Sequence, residues 1–342
     1  MRYHRRSPLR ASVLYLAGLL CPFLPAVAGA AEITGAGSSF AGPVYQAWGD
    51  GAKAAGVFLN YQSIGSSAGQ NLVAARTVDF GASDAPMKPE RLAASHLFQF
   101  PTVTGGIVPV VNLPGIGNNT LRLSGPVLAA LFDGRISSWR DPRVAALNPG
   151  LELPDLPVAS VHRADGSGTT FVFTSYLSRV SPEFRDAVGA ASSVAWSAGA
   201  GARGNDGIGA TIRTTVGSIG YVEYSYALNN AIPMVLLQNH DGAFVAAGSA
   251  SFSAAAARAD WAHASHFAAD LLDSSGQDVW PVVSATFVLV PDNPADTERA
   301  AAVRKFFEYA FANGDKAAVR LSYIPLPEGL RRDILAAWPG GR

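Results

Sequence analysis

Residues 163–170 carry the densest group of side chains that could bind an anion. Arg163 supplies a permanent positive charge with a planar set of donors, which Asp165 can hold in place, and Ser167 and Thr169 add hydroxyl groups. Two glycines leave the backbone N–H groups open where a helix is expected to begin. These donors suit a tetrahedral oxyanion. The alternative is a helix-capping turn beside a solvated ion pair, and this stretch alone does not decide between the two.

Asp84 adds a carboxylate that would otherwise look out of place in an anion site. An ionised carboxylate only accepts hydrogen bonds, so it favours an anion that carries a proton. Hydrogen phosphate has such a proton, whereas sulfate at neutral pH has none. A sulfate oxygen next to Asp84 would therefore place two hydrogen-bond acceptors together without a proton between them, which is repulsive. The alternative is that Asp84 caps the helix that follows it.

Residues 65–69 read Gly-Ser-Ser-Ala-Gly and match the G-x-S-x-G pattern of α/β hydrolases. A secreted Ser hydrolase using Ser66 or Ser67 is therefore the alternative function. It would need a histidine later in the chain, and none of the candidates lies in a distinctive turn: His96, His162, His240, His263 and His266. Because the sequence has no P-loop, no H-E-x-x-H and no His/Cys cluster, we expect no cofactor and no metal.

The elements that must position these groups alternate between strand and helix. The turns at 35–40, 64–69, 83–86 and 163–170 each follow a strand-like segment and precede a helical pattern. This order predicts an α/β protein with mixed, mostly parallel sheets. Because ligands gather beyond the carboxyl ends of parallel strands, the four turns are expected to meet at one cleft.

Two long extended runs, at 98–112 and 282–291, are interpreted as crossovers between two lobes. They predict lobe I at residues 31–104 plus 282–342, lobe II at 105–281, and a two-stranded hinge with the ligand between the lobes. Residues 253–272 are expected to be largely helical.

The charge balance argues against a nucleic-acid partner. The chain has 26 basic and 26 acidic residues, and the first 30 residues contain four arginines and no acid. The rest therefore has 26 − 4 = 22 basic against 26 acidic residues, a net charge of −4. A mildly acidic chain is a poor match for phosphate backbones.

The N-terminus has the pattern of a secretory signal peptide at residues 1–30. A basic segment is followed by an apolar one and by Ala28-Gly29-Ala30, which predicts cleavage after Ala30 or Ala31 and export to the periplasm. The only cysteine, Cys21, lies within this segment, so the exported chain would have no disulfide.

Taken together, the motifs resemble those of the PstS family, the periplasmic phosphate-binding proteins of ABC-type phosphate importers. The matching stretches keep the family's order from about residue 32 to 338: TGAGSSF (34–40), YQSIGSSAG (61–69), VDFGASDAP (78–86), FQFPTVTGG (98–106), RADGSGTTFVFTSYL (163–177), GNDGI (204–208) and IGYVEY (219–224).

The resemblance implies a class II periplasmic binding protein fold, binding of inorganic phosphate without catalysis, and delivery to membrane permease subunits powered by a cytoplasmic ATPase. A monomer is expected. Asp165 would steady Arg163. By motif, the phosphate-binding residues would be Ser38, Ser39, the backbone N–H of Phe40, Ser66, Asp84, Arg163, Ser167, Gly168 and Thr169. The family's first turn usually has Thr where this chain has Ser39.

Overall fold

The computed structural model describes Met1 and residues 31–339. The predicted signal peptide therefore lies almost entirely outside the described residues. None of the described helices is long and apolar enough to cross a membrane.

The described chain alternates strands and helices. The strands are β1 (Ala31–Gly37), β2 (Val57–Gln62), β3 (Phe80–Ser83), β4 (Leu97–Asn112), β5 (Arg122–Leu123), β6 (Ala159–Arg163), β7 (Ala200–Ala202), β8 (Ser218–Glu223), β9 (Leu236–Gln238), β10 (Phe244–Val245), β11 (Val283–Pro291) and β12 (Ile324–Pro325). The α-helices are α1 (Gly42–Ala52), α2 (Ser66–Ala74), α3 (Pro89–Ala94), α4 (Gly125–Phe132), α5 (Pro142–Leu147), α6 (Gly168–Val180), α7 (Pro182–Ala187), α8 (Gly204–Thr214), α9 (Tyr224–Asn229), α10 (Ser249–Ala256), α11 (Thr297–Asn313), α12 (Asp315–Arg320) and α13 (Glu328–Ala337).

Nine strands of the described chain form one mixed sheet in the order β2-β1-β3-β11-β4-β8-β6-β7, with β12 also pairing to β4. Pairing is parallel at both ends, where β1 joins β2 and β3, and β6 joins β7 and β8. Pairing in the centre is antiparallel, since β11 and β4 run against their neighbours. The mixed α/β fold is confirmed, and the parallel share is smaller than expected because the long central strands reverse direction.

The 16-residue strand β4 changes its partners midway. Residues 97–106 pair with β11, and residues 107–112 pair with β8. We call β2, β1, β3, β11 and residues 97–106 of β4 the first half-sheet, and residues 107–112 of β4 with β8, β6 and β7 the second half-sheet.

Two glycines mark the place where β4 passes from one half-sheet to the other. An ideal Cβ on Gly105 would lie 2.8 Å from Phe40 Cζ, and one on Gly106 would lie 2.2 Å from Phe252 Cζ. Only glycine lets the strand pass this close to both rings.

Aromatic side chains form the core beneath both half-sheets. Phe100 and Trp338 lie 4.7 Å apart under the first, and Phe173 stacks on Tyr221 at 4.2 Å under the second. Each such buried side chain stabilises the fold by about 1.5–3 kcal/mol, so each half-sheet rests on a substantial core.

The prediction of a mostly helical segment at 253–272 is wrong. Helix α10 ends at Ala256, and the remainder is irregular apart from a 3₁₀ turn at Ser265–Phe267. His266 and Phe267 have φ values of 50° and 56°, which no right-handed helix allows.

Candidate oxyanion-binding site

The four polar turns identified in the sequence meet where the two half-sheets face each other. Three follow β1, β2 and β3 of the first half-sheet, and the fourth follows β6 of the second. Ser67 N–H donates to Gly166 O at 3.0 Å, which joins the turns after β2 and β6. An ideal Cβ on Gly168 would lie 2.4 Å from Ser66 Oγ and 2.8 Å from Asp84 Cβ. Glycine at 168 therefore allows the second half-sheet to approach the first.

Asp84 is buried, with 1% of its surface exposed, and its two oxygens have different surroundings. Ser38 Oγ donates to Oδ1 at 2.5 Å and Thr286 Oγ1 donates to the same oxygen at 2.7 Å. From the described part of the chain, Oδ2 receives only a long hydrogen bond from Ser66 Oγ, at 3.4 Å. Oδ2 is therefore the oxygen with capacity left to accept a proton-bearing ligand.

Burial raises the pKa of the Asp84 carboxyl above its usual value, because the charged form loses its hydration. Hydrogen bonds from Ser38 and Thr286 and the positive charge of Arg163 act in the opposite direction. The two donors on Oδ1 thus support the ionised form and fix the orientation of the carboxyl group.

Arg163 is held by Asp165 on the second half-sheet. Its Nε donates to Asp165 Oδ1 at 2.7 Å, and its Nη2 donates to Oδ2. The arginine side chain is 1% exposed and the aspartate side chain 15%. Burial acts to raise the pKa of Asp165, but the bonds and charge of Arg163 outweigh it and the pKa is lowered. The guanidinium is therefore fixed, and its Nη1 points to Thr169 Oγ1 at 3.4 Å.

Ser167 begins α6, because its Oγ accepts Thr170 N–H at 3.1 Å. The N–H of Ser167 itself donates to Ser192 O at 2.9 Å. Gly168 and Thr169 are the first two helical residues, whose N–H groups have no acceptor within the helix. These amides and the positive end of the helix dipole are suited to an anion.

The turn after β1 is organised by Ser38. Its Oγ accepts Phe40 N–H at 3.1 Å and Ala41 N–H at 3.2 Å, so the predicted Phe40 donor points towards that hydroxyl. The Ser39 hydroxyl oxygen is buried and has no hydrogen-bond partner among the described residues. A buried hydroxyl of this kind is one that an anion or a water could satisfy.

A hollow of about 540 Å³ adjoins this turn. Its walls include Ser39, Asp165, Asn205 and Glu223. Burial raises the pKa of Glu223 to about 7, although hydrogen bonds from Ser225 act to lower it. The hollow therefore opens beside the predicted residues.

A second hollow, of about 800 Å³, lies elsewhere on the first half-sheet. Its cations already have partners: Arg76 donates to backbone carbonyls, including Ser95 O at 3.0 Å, and Arg299 pairs with Asp79 at 3.5 Å. It contains none of the residues predicted to bind the anion.

Within residues 31–339, the structure brings no histidine side chain into hydrogen-bond contact with Ser66 or Ser67, the serines that a Ser hydrolase would use. His162 stacks on Trp196 at 5.0 Å, and His240 and His263 bond to neighbouring aspartates.

Sequence reasoning missed several residues that contact the predicted turns, among them Thr286 and Asn205. Thr286 lies on β11 and bonds Asp84, and Asn205 lies on α8 and donates to Ser39 O at 3.3 Å. The signal for Thr286 was weak: with Ser284 it is a polar residue at alternating positions of an otherwise apolar strand. The signal for Asn205 was its place in the GNDGI stretch.

The mixed sheet, with a site between its two halves, is the architecture of a periplasmic binding protein, and residues 25–313 match the PBP superfamily domain. The phosphate-binding protein PstS of Pasteurella multocida is 48% identical over 310 residues, with 90% of each chain covered. That of Haemophilus influenzae is 46% identical over 311 residues, covering 90% of this chain and 92% of the relative. The chain belongs to the PstS family of phosphate-binding proteins.

Solved structures support the same fold. A high-affinity periplasmic phosphate-binding protein, bound with phosphate at pH 8.5, superposes with a TM-score of 0.72 at 21% identity, covering 91% of this chain and 96% of the other. A human phosphate-binding apolipoprotein gives a TM-score of 0.73 at 20% identity, covering 89% and 94%.

Proposed function

We propose that this chain binds hydrogen phosphate between its two half-sheets and delivers it to the permease subunits of an ABC-type importer in the membrane. It acts in the periplasm as a monomer and without chemical turnover. The family membership and the burial of the predicted polar residues support this proposal.

The ligand contacts come from both halves of the chain. Ser38, Ser39, Phe40, Ser66 and Asp84 contribute from lobe I (31–104 and 282–342). The second set, from lobe II (105–281), is Arg163, Ser167, Gly168 and Thr169, with Asp165 in support. The change of partners along β4 between residues 106 and 107 favours this division.

The observation that carries the proposal is the unequal bonding of the Asp84 carboxylate. Oδ1 is occupied by Ser38 and Thr286, and Oδ2 has capacity to accept the proton of hydrogen phosphate. Asp84 and Asp165 together outweigh Arg163 in charge. The anion must therefore be stabilised mainly by backbone N–H and hydroxyl dipoles in a water-excluded site.

Isothermal titration calorimetry of the purified protein, freed of bound anion, tests the proposal. We expect phosphate to bind with a dissociation constant of about 1 μM or lower, a free energy of about −8 kcal/mol or better. Arsenate also carries a proton and should bind, whereas sulfate and molybdate should bind far more weakly. No binding of phosphate would contradict the proposed function, and equal binding of phosphate and sulfate would remove the role of Asp84.

A further inference from the structure

Three consecutive carbonyl groups of the turn after β1 each accept a hydrogen bond from a side chain. The donors are Tyr61 Oη to Ser38 O at 2.7 Å, Asn205 Nδ2 to Ser39 O at 3.3 Å, and Tyr323 Oη to Phe40 O at 2.6 Å.

Only one of these donors joins the two half-sheets. Tyr61 lies on β2, and Tyr323 immediately precedes β12, which pairs with the part of β4 in the first half-sheet. Asn205 lies in the first turn of α8, which packs on β8 and β6 of the second half-sheet. Separation of the half-sheets would therefore break the Asn205 bond and leave both tyrosine bonds intact.

The orientation of the Asn205 side chain is fixed by its second contact. Its Oδ1 accepts Glu223 N–H at 3.2 Å, within the second half-sheet. The amide nitrogen must then face Ser39 O, since a backbone N–H can bond only to the amide oxygen. The residue is 4% exposed, so this hydrogen bond lies away from bulk water. The lower dielectric there makes the bond stronger than it would be at the surface.

The bond also acts on Phe40 N–H, which donates to Ser38 Oγ in this structure and is predicted to bind the anion. Ser39 C=O and Phe40 N–H belong to the same peptide group, and a carbonyl that accepts a hydrogen bond polarises its peptide. When Asn205 donates to Ser39 O, Phe40 N–H therefore becomes a better donor.

We propose that Asn205 is a positioning residue that latches the two half-sheets together around the bound anion. The hydrogen bond from Asn205 to Ser39 O forms when the two half-sheets close. It makes Phe40 N–H a better hydrogen-bond donor, and it slows release of the anion. This inference rests on the proposed function, since it describes how the same site retains phosphate.

The test measures release and capture of radiolabelled phosphate for two substitutions. Asn205→Ala removes both bonds of the amide. Asn205→Asp keeps an oxygen for Glu223 N–H but turns an acceptor towards Ser39 O. We expect both variants to release phosphate at least about fivefold faster, the change that one neutral hydrogen bond gives, with a smaller change in the capture rate.

Two control variants separate a latch from a general effect on the turn or on charge. Tyr61→Phe removes a comparable bond within the first half-sheet, and should change capture and release together. Asn230→Asp adds the same charge as Asn205→Asp at a half-buried position whose amide bonds Tyr226 O, and should release phosphate like the unmodified protein.

Thermal melting without phosphate shows whether the variants fold normally. Asn205→Asp keeps an acceptor for Glu223 N–H and should melt as the unmodified protein does, whereas Asn205→Ala leaves that buried N–H without a partner and should melt at a lower temperature. Release unchanged in both Asn205 variants would overturn the latch, as would faster release in Asn205→Ala alone, which would assign the effect to the Glu223 contact. Failure of the unmodified protein to retain phosphate would instead contradict the proposed function.

Discussion

Two serine turns face each other across the site and share the same local geometry. Ser38 Oγ accepts Ala41 N–H at 3.2 Å, and Ser167 Oγ accepts Thr170 N–H at 3.1 Å, in each case three residues further on. Their neighbours have opposite charges. Ser38 donates to the Asp84 carboxylate, whereas the turn of Ser167 lies beside the Arg163 guanidinium.

The comparison shows that two turns of similar geometry, one on each half-sheet, can have different roles in recognising a ligand. In the proposed function, the turn near Arg163 attracts any small dianion, because a fixed cation and free helix amides do not distinguish phosphate from sulfate. In the same proposal, the turn near Asp84 discriminates between anions, because its carboxylate accepts a proton that only some anions carry.

Arg163→Lys should have the largest effect on affinity. A lysine ammonium cannot bond both Asp165 oxygens and still present a planar edge to an anion. We expect phosphate and any residual sulfate binding to weaken together by about 100-fold, measured by calorimetry.

Circular dichroism of Arg163→Lys should match that of the unmodified protein. A loss of phosphate binding with sulfate binding retained would contradict the division of work, because it would place discrimination on the arginine side.

Asp84→Asn should have the next largest effect, on selectivity. The asparagine amide can donate to sulfate, so the penalty of opposed lone pairs disappears. The ratio of phosphate to sulfate affinity should fall by about tenfold or more, measured by competitive titration. An unchanged ratio would mean that Asp84 does not sense the proton.

The pH dependence of sulfate binding provides a control for the Asp84→Asn prediction. Burial raises the pKa of Asp84, so acidification protonates it earlier than an exposed aspartate. A protonated Asp84 donates a hydrogen bond, and sulfate should therefore bind more tightly to the unmodified protein as the pH falls. In Asp84→Asn this increase should be absent.

The matched pair Ser38→Ala and Ser167→Ala should give the smallest effects. Loss of Ser38 removes a donor that opposes the raised pKa of Asp84, so selectivity should fall by about fivefold. Loss of Ser167 removes a helix cap, so the free energy of unfolding should fall by about 1 kcal/mol. The affinities for phosphate and for sulfate should fall by similar factors, which leaves the selectivity unchanged. Chemical denaturation and calorimetry together distinguish the two. Identical behaviour of the two variants would remove the contrast between the turns.

Much of this arrangement could be read from the sequence because its signals are local. The strand before each polar turn and the helix after it have clear periodicities, and Arg163 and Asp165 are two residues apart. The turn predicted at 64–69, for example, does follow a strand, β2, and does lead into a helix, α2. The roles of the predicted residues as phosphate ligands remain predictions.

Other contacts could not be read from the sequence because they arise from pairing between distant segments. Thr286 reaches Asp84 only because β11 lies against β3, with Phe287 opposite Ser83. The segment at 253–272 has the alanine content of a helix. Its positive φ values, the hydrogen bond from Gln99 Nε2 to His266 O and the contact of the Phe267 ring with Phe98 show that tertiary contacts override that local preference.

The passage of β4 between the half-sheets has a mechanical consequence. The Phe40 ring lies against Gly105, so close that an added Cβ would be 2.8 Å from its Cζ, while the Phe40 backbone belongs to the turn that would receive the anion. Any bending of the strand at this glycine must therefore press on the ring or withdraw from it. If the two half-sheets move relative to each other, as the proposed function requires, this one side chain would couple their angle to the shape of the turn after β1.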